Sequence, residues 1–240
     1  MVPETELAIA FNGNPEVEWY LRHKCPELND WVDEVVSTSR ALGKPTPDEI
    51  RRAEVAVMQS LNDFIVYIVD PAASDKLPFL KWDSEELLSL TDFFEKSVID
   101  VRTGTGRLTF AVAAMASQVF AVEPVANLRA YLRERAEEQG LSNVYPVDGI
   151  KTQIPLPDRF ADITMGGHVF GDQPEEEYRE LVRVTKRGGM VILCPGNNDE
   201  DNSVHNFLVP NGFEWSRFEE PKDGMKRKYW TTVAITSIGI

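Results

Sequence analysis

The chain has 240 residues, 42% of them hydrophobic, with 39 acidic against 25 basic side chains and a formal net charge of −14. That length buries a core large enough for one α/β domain and a smaller companion, while the acidic balance excludes broad gripping of nucleic-acid phosphates or anionic membranes. No apolar run is long enough to cross a bilayer, Met1 to Glu6 lacks the basic and apolar regions of a secretory leader, and Cys25 and Cys194 stand alone without disulfide or metal-ligand spacing; a cytoplasmic protein is expected.

The first part of the chain reads as helical. Helix-start signals open Pro15 to His23, Pro26 to Leu42, Pro47 to Val69 and Ser84 to Phe94, and in the third of these Ile50, Val57, Leu61, Phe64 and Ile68 recur on one face. Gly43-Lys44-Pro45 and Asp70-Pro71 break the helices. These features predict a helical subdomain over 1–95, packed over the open end of a sheet domain over 96–240. Its aromatic residues Phe11, Trp19, Tyr20, Trp31, Tyr67, Phe79 and Trp82 serve either as ordinary core or as walls of an apolar substrate pocket. The apolar helices Asp48 to Val69 and Ser84 to Phe94 either pair across a homodimer or cover a sheet edge.

From Ser97 the pattern changes. Ser97-Val98-Ile99-Asp100-Val101 is a β-branched run, Arg102 to Gly106 is a tight loop, and Phe110, Met115 and Val119 continue a helical pattern. A loop lacking Cβ atoms at the end of a buried parallel strand lets a ligand approach the main chain, and the following helix offers unpaired N–H groups. Asp100 can orient this loop or meet an ammonium group. Glu123 follows a second strand, Gln118 to Val122, at roughly the twenty-residue spacing at which an acidic side chain grips ribose hydroxyls. A dinucleotide-binding loop needs glycine where Arg102, Gly104 and Arg107 stand, and two of those three places fail; a P-loop sequence is absent.

Val125 to Gln139 then reads as a helix whose charged face, Arg129, Arg133, Glu134 and Glu137, needs no functional role. Asn143 to Val147 is a short strand, and the stiff link Ile154 to Asp158 leads to another, Phe160 to Met165. The loop Gly166 to Asp172 lies where ligands gather in open α/β sheets. His168 within it is the best available general base for a hydroxyl, amine or thiol nucleophile, or else a structural loop histidine. Pro174 to Lys186 opens as a helix on Glu175, Glu176 and Glu177, Gly188-Gly189 turns into a strand over Met190 to Cys194, and Ser203 to Val209 is a short helix. Phe213 to Phe218 and Tyr229 to Thr236 alternate as antiparallel strands joined around Asp223-Gly224, with Lys222, Lys226, Arg227 and Lys228 as a solvated flank. Asp172, Asn198 and Asp199 can be read as magnesium ligands, but polar-turn chemistry accounts for them, and no metal site is assigned.

Asp100 to Gly106, Val122-Glu123-Pro124, Val147-Asp148-Gly149 and Pro157 to Asp162 together resemble the successive motifs of class I S-adenosylmethionine-dependent methyltransferases. The resemblance runs from about residue 97 to the C-terminus. It implies an α/β fold with a Rossmann-like, seven-stranded, mostly parallel sheet of order 3-2-1-4-5-7-6 and helices on both faces. It also implies S-adenosylmethionine as cofactor, S-adenosylhomocysteine as product, and cofactor contacts from Asp100, Thr103, Gly104, Gly106, Glu123, Asp148, Gly149 and Gly166. Asp148 would accept from the adenine amino group; by pattern alone it serves equally well as a turn carboxylate. The family loop is usually D-x-G-x-G-x-G, and here Arg102 replaces the first glycine, which predicts weakened and not abolished binding. The function so implied is in-line methyl transfer to a small-molecule nucleophile, driven by alignment with or without His168 as base. The alternative is an adenosyl-ligand-binding or interaction protein of the same fold with impaired turnover.

Overall fold

The structure is a computed structural model that describes residues 3–76, 80–222 and 224–234. Phe79, Asp223 and residues 235–236 of the expected last strand lie outside the described residues, as do the side chains of Leu61, Phe64 and Tyr67. The chain forms two compact units, Met1–Asp70 and Pro71–Ile240.

The first unit is helical, with α1 (Glu4–Gly13), α2 (Pro15–Lys24), a 3-10 turn (Pro26–Leu28), α3 (Asn29–Leu42) and α4 (Pro47–Val69). Leu7, Ala8, Phe11, Val32, Val35 and Val57 form its core. Sequence reading passed over α1 because Pro3, which precedes it, makes no side-chain cap; burial of Leu7, Ala8, Ala10 and Phe11 holds it instead. The start of α4 is written locally. Glu49 accepts from the Thr46 N–H at 2.7 Å and hydroxyl at 2.8 Å, while the Glu49 N–H donates back to the hydroxyl at 3.3 Å, a reciprocal cap.

The second unit is built on seven strands, β1 (Ser97–Val101), β2 (Gln118–Val122), β3 (Val144–Val147), β4 (Ala161–Gly166), β5 (Thr185–Asn198), β6 (Glu214–Glu220) and β7 (Gly224–Thr232). They stand in the order β3-β2-β1-β4-β5-β7-β6, the order the sequence motifs imply. β1 to β5 pair in parallel, and only β7 runs against its neighbours. Val98, Ile99 and Val101 of β1 have no exposure, because a central parallel strand is covered on both faces; that is why its sequence is a continuous apolar run. One covering layer includes Leu108 and Val112 from α7 (Arg107–Val112) and Ala136 from α8 (Ala126–Glu138). The other includes Leu181 and Val184 from α9 (Pro174–Val184) and Leu208 from α10 (Ser203–Leu208).

Three expected elements differ. The helix foreseen over 84–94 is the single turn α6 (Glu85–Leu88); downstream, Asp92 Oδ1 accepts from the Phe94 N–H at 2.9 Å, an Asx turn that ends helical geometry. α7 stops at Val112, and Val119 belongs to β2. β5 begins at Thr185 and absorbs Gly188-Gly189 as an irregularity, its pairing with β4 jumping from Ala161–Thr185 to Ile163–Met190 while Gly188 takes φ 77°.

The boundary expected near residue 95 is displaced to residue 70, because 71–95, which also holds α5 (Pro71–Ser74), is tied into the sheet unit. Trp82, Leu87 and Phe93 are almost wholly buried in its core. Arg107 donates to the carbonyls of Leu80 at 2.8 Å and Trp82 at 2.5 Å and to the Ser84 hydroxyl at 3.0 Å, with its guanidinium 4.5 Å over the Trp82 ring. Asp75 pairs with Arg135 and accepts from the Tyr131 hydroxyl at 3.0 Å.

The expected solvated basic flank is corrected at three of its four residues, Lys222 being exposed. Lys226, Arg227 and Lys228 are buried: Lys226 donates to Asn198 at 2.7 Å, Arg227 pairs with Asp199 at 2.8 Å and Asp201 at 2.7 Å, and Lys228 reaches both the carbonyl and the carboxylate of Glu86 at 2.7 Å. Each of these three cations has its counter-charge within the fold. Among the described residues no helix is long and apolar enough to cross a membrane.

Burying Trp82, Leu87 and Phe93 contributes about 5–9 kcal/mol at about 1.5–3 kcal/mol each, comparable with the whole stability of a domain. A chain that starts at Pro71 is therefore expected to keep a cooperative unfolding transition by circular dichroism, and one that starts at Lys96 to lose it.

Candidate active site

The loop after β1 is held by one buried carboxylate. Asp100 Oδ2 accepts from the Thr103 hydroxyl at 2.6 Å, the Thr109 hydroxyl at 2.7 Å and the Thr109 N–H at 2.9 Å. Burial pushes its carboxyl up to about 6, although these donors favour the charged form. Asp100 thus orients the loop. Gly106 is required by shape: its φ is 90°, and a Cβ there would lie 2.5 Å from Phe110 and 2.7 Å from Leu132. Arg102 is exposed and left-handed at φ 51°. That conformation costs an L-residue about 1–2 kcal/mol, a cost already present in the folded chain before any ligand arrives.

Glu123 sits at the end of β2 and faces this loop. Its carboxylate is buried and accepts from the Gly104 N–H at 3.1 Å and the Val125 N–H at 2.9 Å. Burial raises its titration point, and the two N–H groups work against the rise. Thr103 adds a main-chain bond to the Val122 carbonyl at 3.2 Å, so the ends of β1 and β2 are closed together around Thr103, Gly104 and Glu123.

Asp148 joins the same edge through Arg129. The guanidinium pairs with both Asp148 oxygens, at 3.0 and 3.2 Å, and donates to the carbonyls of Glu123 at 2.7 Å and Pro124 at 2.8 Å. Asp148 is itself 72% exposed, against 14% for Arg129. Arg129 therefore has a structural purpose that its place on a charged helix face concealed. Gly149 is demanded by close packing, since a Cβ would meet Pro155 at 2.5 Å and Val122 at 3.0 Å. Beyond it a groove of about 820 Å³ runs between the 148–157 segment and Glu180 and Arg183 of α9.

On the β4 side, a Cβ on Gly166 would lie 2.6 Å from Val169 and 3.3 Å from the Val101 carbonyl, so Gly166 also borders the end of β1. His168 is left-handed at φ 56°, anchored through its N–H to the Pro195 carbonyl at 2.7 Å, and its Nε2 lies 3.0 Å from Glu220 Oε1 at the end of β6. Glu220 is fully buried, with Lys226 Nζ 3.5 Å from its other oxygen. Two further residues shape this loop, and sequence reading missed the part each plays. Buried Glu177 accepts from the Gly171 N–H at 2.7 Å and the Gln173 N–H at 2.8 Å, and Lys151 bridges it at 2.8 Å to Asp172 at 2.5 Å. Glu177 had seemed only one of three acids at a helix start; its signal was an apolar position, i+4 from Gln173, carrying a charge.

The carboxylates considered for magnesium are taken by cations in separate places, Asp172 by Lys151 and Asp199 by Arg217 and Arg227. Among the described residues no cluster of three or more His, Cys, Asp or Glu side chains forms a metal site. Cys194 is buried, and burial pushes its thiol up to about 12, which leaves it no thiolate at neutral pH.

Residues 99–193 match a family model described as a methyltransferase domain. Over 142 residues the chain is 25% identical to an uncharacterized methyltransferase of Geobacillus sp., in a match covering 58% of this chain and 64% of that protein, less than two thirds of the relative's length. Among solved structures it is similar to a SAM-dependent methyltransferase from Aquifex aeolicus, at 22% identity and a TM-score of 0.55, covering 69% of this chain and 99% of that one. It is likewise similar to a candidate methyltransferase from Bacillus halodurans, at 22% identity and a TM-score of 0.51, covering 57% and 72%. These two structural likenesses speak for the fold.

Asp100 yields a pH test. With a carboxyl near 6 in the folded chain against a reference of 3.8, the folded state keeps a proton that the unfolded state loses across that window. Its contribution to stability therefore falls as pH rises from about 4 to about 6, by about 3 kcal/mol. Asp100→Asn removes this titration. In urea unfolding its stability relative to the parent is expected to improve by up to about 3 kcal/mol between about pH 4 and pH 7; a difference independent of pH would contradict the assignment.

Proposed function

We propose that this chain, whose residues 99–193 match a methyltransferase domain, transfers the methyl group of S-adenosylmethionine to a small-molecule nucleophile. The observation that carries this reading is the Glu123 carboxylate, buried at the end of β2 and fastened to the glycine loop through the Gly104 N–H. A carboxylate has about four lone-pair positions, and the two main-chain donors use two of them. The others are the ribose acceptors.

The remaining residues fit the rest of the ligand. Asp148 presents an exposed carboxylate, steadied by Arg129, to the adenine amino group. Gly149 and Gly166 keep the edges of the site free of side chains, and Gly106 lets α7 begin close to the loop. When bound, the cofactor supplies an activated sulfonium methyl. The chain then has only to hold the acceptor in line and exclude water, since alignment alone removes much of the barrier. We assign to His168, whose Nε2 is held by Glu220, the part of taking the acceptor's proton where that acceptor is a hydroxyl, amine or thiol.

A small acceptor agrees with the charge of −14 and with the internal pairing of Lys226, Arg227 and Lys228. The helical unit is assigned to acceptor selectivity. It contains an apolar cavity of about 480 Å³ lined by residues including Leu7, Phe11, Leu21, Trp31 and Met58, within the usual range for small ligands.

Calorimetric titration is expected to show binding of S-adenosylmethionine and S-adenosylhomocysteine, and Glu123→Gln to weaken both by roughly 10- to 100-fold, because an amide turns a donor toward one of its present donors. Methyl-labelled cofactor incubated with a panel of oxygen, nitrogen and sulfur nucleophiles should label an acceptor and release S-adenosylhomocysteine. Binding without transfer across such a panel would favour the rival reading, a ligand-binding protein without turnover.

A further inference from the structure

Two residues other than glycine in left-handed conformation, Arg102 and His168, stand on the loops that follow β1 and β4. These strands are neighbours, and the strand order reverses between them. The space above their carboxyl ends is therefore the crevice in which open α/β sheets receive ligands. Strained backbone of this kind collects where function requires it.

Arg102 differs from the other arginines of this edge. Arg107, Arg129 and Arg135 are all engaged by carbonyls or carboxylates. Among the described residues the Arg102 guanidinium makes no hydrogen bond and no ion pair, while its charge acts on Glu123 on the β2 side and on Asp172 on the β4 side. Neither carboxylate needs it: Glu123 is bonded to two main-chain N–H groups, and Asp172 to Lys151. The loop is also already closed with the arginine present, through the Thr103 and Gly104 N–H groups. Arg102 therefore props nothing up and obstructs nothing in the fold.

The ligand's own chemistry supplies the missing partner. With adenosine along the ends of β2 and β3, its amino-acid half must cross the end of β1 toward β4. That half carries a carboxylate, which here crosses the loop closed by the buried Glu123 carboxylate, in a chain of net charge −14. An anion so placed needs a cation, and the planar guanidinium matches a carboxylate with two parallel bonds.

We propose that Arg102 receives the carboxylate of the amino-acid half of the adenosyl ligand, so that this chain selects ligands by that carboxylate as well as by their nucleoside. The proposal rests on the cofactor site described above and deepens it. It replaces main-chain approach at a glycine by an ion pair at the same place in the loop.

The test is calorimetric titration of the full chain with S-adenosylhomocysteine, which has the carboxylate, and with 5′-methylthioadenosine, which shares the nucleoside and thioether and lacks the amino acid. Arg102→Gln, which keeps length and loses charge, is expected to bind S-adenosylhomocysteine about tenfold more weakly and methylthioadenosine within about twofold of the parent. Arg102→Gly should show the same selective loss with an undiminished thermal midpoint, since its backbone is relaxed; it also guards against misfolding of the glutamine variant. Equal losses on both ligands, or S-adenosylhomocysteine affinity kept or raised in the variants, would overturn the proposal while leaving the cofactor site standing. A parent chain that binds neither ligand would overturn both.

Discussion

The buried carboxylate of Asp100 is the point from which the candidate site is built. Three donors from Thr103 and Thr109 converge on one of its oxygens, and only such a set makes a charge tolerable at 1% exposure. By bonding to residues on both sides of Gly104 and Gly106, Asp100 sets the path of the loop and the start of α7. The Glu123 carboxylate, one strand away, takes its position from the same loop, because the Gly104 N–H bonds to it.

The same device recurs along the carboxyl edge of the sheet, where buried or half-buried charges each tie two segments together. Arg129 links the end of β2 to Asp148 after β3, Lys151 links that segment to Asp172 and Glu177, and Glu220 links β6 to His168. Of these links Lys151–Glu177 is the buried pair, with its members 13% and 1% exposed, and removing one member of such a pair typically costs about 3–5 kcal/mol, because its partner is left uncompensated. Against this background Arg102, a cation at the same edge with no such tie, stands out.

Much of this was legible in the sequence, for local reasons. The apolar run of β1, the glycines after it and the acid at the end of β2 are signals contained in a few neighbouring residues, and the succession of motifs implied the strand order. What escaped was set by distance along the chain. Lys228 and Glu86 are 142 residues apart, so a basic tripeptide that looks solvated in sequence is buried in the fold. The place of residues 71–95 depends likewise on Arg107, Arg135 and Lys228, and the purpose of Glu177 on loop N–H groups that composition does not reveal. Arg102 was visible as a departure from the family pattern, but its backbone conformation and lack of a partner were not.

The proposed function puts an adenosyl ligand across the carboxyl ends of β3, β2, β1 and β4. Amide chemical-shift mapping of the full chain on addition of S-adenosylhomocysteine tests it most directly. The largest changes are expected on Arg102 to Gly106, Glu123 to Val125, Asp148 to Ile150 and Gly166 to His168, with Gly104 among them because its N–H is bonded to Glu123 in the free chain. Changes confined to the helical unit, or spread without reference to these four segments, would contradict it.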